Sequence, residues 1–211
     1  RKIANEDERI VWAQRVNVDL MSRSPVLVWR NATRIRLINA FRSVYNAPND
    51  RLMQGEPLIC DGLELPLKHR KKRIDLEARG LTKGANVIYL GPGKKAGFSR
   101  LFIVGSESPK LSAASIVKIE LPNEDEPFIP YAAKMGAIFL HGSAVTIHKA
   151  QGLTLESCSV DLGSGAFATG QAYVALSRCK TINTLNLYRE LRISDAMVDP
   201  DIKDFHTENF N

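Results

Sequence analysis

Short apolar runs that end in polar turns recur near both ends of this chain, and they constrain the fold more than any other feature. "VLVW" (26–29), "AIFLHGSAVTI" (137–147) and "SCSVDL" (157–162) read as buried core strands, and "TLNLYRE" (184–190) as one more. Helical patterns alternate with them. Residues 8–22 carry Ile10, Ala13, Val16 and Leu20 at helical spacing, with a turn signal at Ser24-Pro25. Asn31 reads as the cap of a second helix, with Ile35, Ile38, Phe41 and Tyr45 on its buried stripe and Arg30, Arg34, Arg36 and Arg42 as polar decoration. "TGQAYVALSR" (169–178) reads as a third helix. Strand and helix in alternation predict an α/β domain built on a parallel sheet.

The middle of the chain has a different texture. From about residue 46, short β-branched runs alternate with Gly/Pro turns, as in a small antiparallel β unit. Val87–Leu90, Leu101–Val104 and Ile116–Leu121 are its predicted strands, "GPGKKAG" (91–97) a hairpin turn, and the acidic "PNEDEPFIP" (122–130) a linker. The predicted organisation is an α/β domain formed by residues 1–46 and 136–211, interrupted by a β-rich insertion over 47–135.

A chain of 211 residues can bury one good core and carry a second small unit. No apolar run approaches the roughly 18 residues of a membrane span, and "RKIANEDERIVWAQ" lacks the apolar core of a secretory signal. An intracellular protein, cytoplasmic or nucleoid-associated, with no membrane partner is expected. Cys60, Cys158 and Cys179 have neither CxxC nor Cys/His ligand spacing, so they read as reduced thiols rather than a disulfide framework or a zinc site; the four histidines are scattered, leaving no metal site to propose. A net charge of +6 is compatible with a polyanionic partner. The chain starts at Arg1 rather than Met, which reads as a piece of something longer.

Two stretches concentrate polar chemistry. In "GSAVTIHKAQGLTLE" (142–156) a His, a Lys, a Gln and a Gly crowd where an apolar strand ends, the position at which open parallel sheets bind ligands. "KHRKKR" (68–73) holds five Lys/Arg in six positions; it reads as a solvated loop or as a loop that neutralises backbone phosphates. No G-x-x-x-x-G-K-[ST] occurs, and no strand ends in paired carboxylates that would hold magnesium. Alone, the chain builds no standard nucleoside-triphosphate site.

"TIHKAQG" and, about 25 residues on, "YVALSRCK" (173–180) resemble motifs V and VI of superfamily 1 helicases, in particular the RecD/Dda-like branch that moves 5′ to 3′ on single-stranded DNA. "VLVWRNATRIRLIN" (26–39) is similar to motif IV of the same enzymes. The resemblance implies a RecA-like C-terminal lobe that lacks the phosphate loop and is interrupted by an SH3-like insertion. It implies ATP and Mg2+ as cofactors of the full-length protein, none bound by this chain alone. The implied partners are single-stranded DNA and an N-terminal RecA-like lobe of the same protein.

By the same resemblance, Arg178 is the catalytic arginine that reaches the γ-phosphate, and Gln151 and Gly152 face the nucleotide. Arg30 is a second sensor, motif IV leaving the choice open between it and Arg34, and Trp29 lies near the base. Thr146, His148 and Lys149 are implied on the DNA path, with Lys71, Lys72 and Arg73 as further phosphate contacts. The pattern departs at Thr154, which occupies the nucleotide-side position where many members carry a ribose-binding Glu; Glu156 follows two residues later. The rival expectation is a non-catalytic nucleic-acid-binding module on a degenerate helicase scaffold.

Overall fold

The computed structural model describes residues 11–12, 18–48, 51–95, 98–114, 136–166 and 168–210. Two five-stranded sheets organise them. The first is wholly parallel and is made of β1 (Val11–Trp12), β2 (Val26–Val28), β8 (Ala144–Thr146), β9 (Cys158–Asp161) and β10 (Leu185–Leu187), in the order β1-β10-β9-β2-β8. The second is wholly antiparallel, with β3 (Pro57–Glu64), β4 (Asn86–Pro92), β5 (Phe98–Ile103), β6 (Lys110–Ala114) and β7 (Gly136–His141) in the order β6-β5-β4-β3-β7.

The strand β2 is buried throughout and pairs on both sides, with Leu27 opposite Val145 on one neighbour and Val160 on the other. Successive side chains of a strand face opposite ways, so its three residues serve two cores. Leu27 joins Val145, Val160 and Leu187 beneath α4 (Gln171–Leu176), through Ala172 and Ala175. Val26 and Val28 face the other way, onto Leu37, Ile38 and Phe41 of α2 (Asn31–Val44) and Met21 of α1 (Val18–Met21). Helices thus cover both faces, which is why β2 reads as an unbroken apolar run. A last helix, α5 (Pro200–Phe210), follows the sheet and is exposed along residues 201–209.

Several local expectations are corrected. Val11–Trp12 is a strand, and the helix expected over 8–22 is reduced among the described residues to α1, which contains Leu20; Ile10, Ala13 and Val16 lie outside them. The run 137–147 is two strands in different sheets, because the chain crosses from one to the other at Gly142-Ser143. A Cβ on Gly142 would lie 2.7 Å from the Pro57 carbonyl carbon, so the crossing requires glycine. The N-cap of α2 is Arg30 rather than Asn31, and Asn31 Oδ1 instead accepts a hydrogen bond from Arg34 Nε at 2.7 Å. Arg34 and Arg42 are buried rather than decorative, and Tyr45 is exposed.

Arg42 shows why. Its guanidinium pairs with Glu56 and donates to the carbonyls of Pro48 and Arg51, while His141 Nδ1 lies 3.1 Å from Glu56 Oε1 and the Met53 N–H donates to Oε2 at 2.9 Å. This buried network ties α2 to the start of β3 and the end of β7. Burial raises the Glu56 pKa, but His141, the Met53 amide and Arg42 together bring it below the usual carboxylate value.

In the antiparallel unit, "KHRKKR" is helical. A 3-10 turn over Leu67–His69 runs into α3 (Arg70–Ala78), whose buried anchor is Leu76. β4 and β5, which flank the expected turn, pair antiparallel like the arms of a hairpin, and residues 96–97 lie outside the described residues. Ile116–Leu121 and the linker 122–130 lie outside the described residues.

Candidate functional site

All five strands of the parallel sheet run the same way, so the residues that follow them emerge at one edge. After β2 come Trp29 and Arg30; after β8 comes 147–152; after β9 comes 162–165.

The turn after β8 is held by its own backbone. The Ile147 N–H donates to Val28 O at 2.7 Å, the Ala150 N–H to Thr146 O at 2.9 Å, and the Leu153 N–H to Ala150 O at 3.0 Å. Thr146 Oγ1 accepts from the Lys149 N–H at 3.2 Å, so this buried threonine holds the turn with both of its oxygens. Ile147, Ala150, Leu153 and Leu155 point into the core, and His148, Lys149, Gln151, Gly152 and Thr154 are left exposed. Gly152 sits at φ +76° in open space; its backbone conformation, not crowding, calls for glycine.

A cleft of about 430 Å³ brings together Trp29, Arg34, Thr146, His148 and Lys149, five of the residues singled out from sequence. It also contains Asp61 and His141, which the sequence reading did not place on the DNA path. His141 stands in the same strand-end run as His148, a signal available in the sequence. Asp61 comes from β3 and carries no local signal; Lys83 Nζ lies 3.8 Å from its carboxylate. Arg30 lines a different cleft, of about 210 Å³, with Thr33, Asp161 and Gly163. Thr154 lines a third, of about 590 Å³, between the two sheets, with Lys83, Glu156 and Lys180. Gly84 meets Thr154 backbone to backbone there, where a Cβ would lie 2.8 Å from Thr154 O.

Arg178 lies just beyond α4 and is half-buried. Its Nε donates to Val174 O at 2.9 Å and its Nη2 to Ser177 Oγ at 2.8 Å, while Nη1 lies 3.5 Å from Leu153 O. The backbone joins the same two segments: the Leu155 N–H donates to Arg178 O at 2.9 Å and the Lys180 N–H to Leu155 O at 2.8 Å. The tail of the 147–152 turn and the arginine are therefore one hydrogen-bonded unit. Lys71, Lys72 and Arg73 lie far along the chain from it, exposed on α3. Lys72 Nζ stands 5.7 Å from the Phe98 ring centre, and Arg73 bonds to Glu77 at 2.8 Å.

No protein-family model matches the chain. Relatives do. The ATP-dependent DNA helicase PIF1 of Emericella nidulans is 38% identical over 102 residues, which are 48% of this chain and 13% of that protein. The ATP-dependent DNA helicase PIF1 of Danio rerio is 33% identical over 119 residues, 55% of this chain and 17% of that protein. Over about half of its length the chain is similar to these Pif1 helicases, and it spans less than a fifth of either relative. Among solved structures, unliganded Pif1 from Bacteroides sp superposes with a TM-score of 0.57 at 13% identity, covering 95% of this chain and 49% of that one. Pif1 helicase from Candida albicans gives 0.52 at 13% identity, covering 89% and 50%. The fold is the RecA-like α/β arrangement of these helicases, and the antiparallel sheet is its β-rich insertion.

Proposed function

We propose that this chain is the C-terminal motor-lobe portion of an ATP-dependent DNA helicase that translocates on single-stranded DNA. In this reading residues 1–46 and 136–211 form the lobe and 47–135 the insertion, with β7 lending its strand to the insertion's sheet. The observation that carries it is the union of Arg178 with Leu153 and Leu155, the residues that directly follow the 147–152 turn. The support from outside the chain is the naming of its relatives as ATP-dependent DNA helicases.

The residues fit a phosphate on one side. Arg178 rests on two carbonyls and a hydroxyl, all neutral acceptors, and a phosphate oxygen competes with these through charge-assisted hydrogen bonds. Gln151 and Gly152 stand exposed in the turn that leads into Leu153. Among the described residues no group of three His, Cys, Asp or Glu could hold a metal ion, so the reading assigns the Mg2+ ligands and the phosphate loop to a partner lobe. ATP supplies the phosphoryl group; this chain supplies a cation against the charge that spreads over it, and an arginine reaching across a lobe interface makes hydrolysis depend on lobe closure. His148 and Lys149 place DNA at the other end of the same turn, so closure at the nucleotide shifts the grip on the strand.

The test is separation of function in the full-length protein. Arg178→Ala should lose ATP turnover and keep nucleotide-free DNA affinity; the double variant His148→Ala/Lys149→Ala should lose DNA affinity and DNA stimulation while keeping basal turnover. If both variants affect DNA binding alike, or neither affects turnover, the reading fails.

A further inference from the structure

The two basic motifs of the insertion, "KHRKKR" (68–73) and "GPGKKAG" (91–97), are separate in sequence and meet at one aromatic ring. Lys72 Nζ, from α3, lies 5.7 Å from the centre of the Phe98 ring, and Lys95 Nζ, from the turn before β5, lies 5.5 Å from it. Local backbone fixes the residue that carries the ring. The Phe98 N–H donates to Lys95 O at 3.0 Å and the Gly93 N–H to Phe98 O at 2.7 Å, while a Cβ on Gly93 would lie 2.9 Å from Phe98 Cβ.

Phe98 begins a stripe along β5. Ser99, Leu101 and Ile103 are buried, and successive strand residues face opposite ways, so Phe98, Arg100 and Phe102 share the other face. There the two rings are partly exposed and Arg100 is exposed. Neither ring belongs to the apolar cluster that Leu76, Leu101 and Ile103 form on the inner face. Arg100 donates to Leu90 O at 2.9 Å and to Pro92 O at 3.2 Å, which holds its guanidinium against β4. The segments 68–73 and 94–100 that supply these cations contain no Asp or Glu.

We propose that the outer face of β5 is an accessory site for single-stranded nucleic acid, DNA or RNA alike, with Phe98 and Phe102 stacking on bases and Lys72, Lys95 and Arg100 meeting phosphates. The chemistry selects this ligand in two ways. Lys72 and Lys95 rest on the Phe98 ring through cation–π contacts, a weak hold at an exposed site that a charge-assisted bond to phosphate displaces. The rings then offer faces to unpaired bases, whereas a duplex encloses its base faces in its own stack. An acidic peptide meets the same cations and leaves both rings unused. Phe98 and Phe102 lie about 13 Å apart along the strand, so they take bases that are not stacked neighbours, with Arg100 between them.

This site is separate from the path proposed through His148 and Lys149. None of its residues lines that cleft, and β5 stands three strands from β7, roughly 14 Å at ordinary strand spacing. The inference therefore goes beyond the motor reading and does not rest on the role of Arg178.

The experiment uses the 211-residue chain and a fluorescein-labelled oligothymidylate of about 12 nucleotides, a length that one small β unit can cover. Ultraviolet cross-linking with peptide mapping by mass spectrometry should place thymine on Phe98 or Phe102, both in wild type and, at raised protein concentration, in His148→Ala/Lys149→Ala. Oligouridylate should cross-link there too, because stacking and charge do not read the sugar. Phe98→Leu/Phe102→Leu keeps apolar bulk and removes the ring faces; it should weaken binding about tenfold or more and leave the slope of log affinity against log salt unchanged. Lys72→Gln/Lys95→Gln should instead lower that slope by about 1.4. Circular dichroism and urea titration check that each variant is folded. Cross-links confined to the α/β lobe, binding indifferent to the leucine variant, a site restricted to one sugar, or equal competition at Phe98 by duplex DNA or polyglutamate would each overturn the site. Unchanged turnover in Arg178→Ala of the full-length protein overturns the motor reading instead, leaving the cross-link map to judge this site.

Discussion

Arg178 and Leu153 belong to segments 25 residues apart, yet Nη1 of the arginine lies 3.5 Å from the leucine carbonyl. The arginine two residues beyond α4 is thereby fixed to the segment that follows β8. Any ligand that moves one is felt by the other, and this relationship underlies the first prediction.

Arg178→Lys is expected to lower DNA-stimulated ATP turnover of the full-length protein by a factor on the order of 10² or more, because lysine lacks the planar fork that donates two parallel hydrogen bonds. The half-exposed contacts that it loses in the chain itself are to neutral acceptors, so chemical denaturation should find stability within about 1 kcal/mol of wild type. A loss of several kcal/mol would make Arg178 a structural residue.

The 211-residue chain by itself is expected to hydrolyse no ATP, since it contains no phosphate loop. The measurement is phosphate release by highly purified protein with and without single-stranded DNA. Hydrolysis that Arg178→Ala abolishes would refute the prediction; hydrolysis indifferent to that substitution marks a contaminant.

Acid should weaken the fold through Glu56. Its folded pKa lies below the ordinary 4.5, so the unfolded chain takes up the proton first as pH drops; its contribution is complete above about pH 4.5 and is lost as pH falls through the lower folded value. Glu56→Gln leaves Arg42 buried without its counter-charge and should cost about 3–5 kcal/mol at pH 7. Urea titrations across pH 3–7 check both, and the variant should show a shallower acid-side slope.

Gly142→Ala is expected to destabilise by about 1–3 kcal/mol, because its Cβ meets Pro57 and Leu58 backbone that has no room to retreat. Gly152→Ala meets nothing and should cost only about 1 kcal/mol of left-handed backbone strain. Equal effects in denaturant titrations would show that the Gly142 crossing is looser than its geometry.

The basic helix α3 is expected to add salt-sensitive, sequence-independent affinity for DNA. Removing the charges of Lys68, Arg70 and Lys71 should reduce the slope of log affinity against log salt by about 2 if each meets one phosphate of a single strand. An unchanged slope returns α3 to the solvated surface.

The parallel sheet was legible in the sequence because its strands are buried on both faces, so β2 stands out as an uninterrupted apolar run and β9 and β10 as short buried runs broken by Ser159 and Asn186. The strand-end site was legible for a similar reason: Ile147, Ala150 and Leu153 are anchored in the core, and the polar residues between them have nowhere to go but outward. Arg42 was misread although a signal existed. It stands one helical turn beyond Ile38, next to Phe41, on the buried face of α2.

The chain's own order of residues therefore determined the core strands β2, β9 and β10, the helices α2 and α4 and where polar groups emerge after β8, since these follow from local periodicity and burial. It did not determine that residues 137–147 belong to two sheets, that Arg42, Glu56 and His141 close one buried network, or that Asp61 enters the cleft of His148. Each of those pairs residues distant in sequence, and no local pattern encodes a partner that only the packed chain brings within a few ångströms.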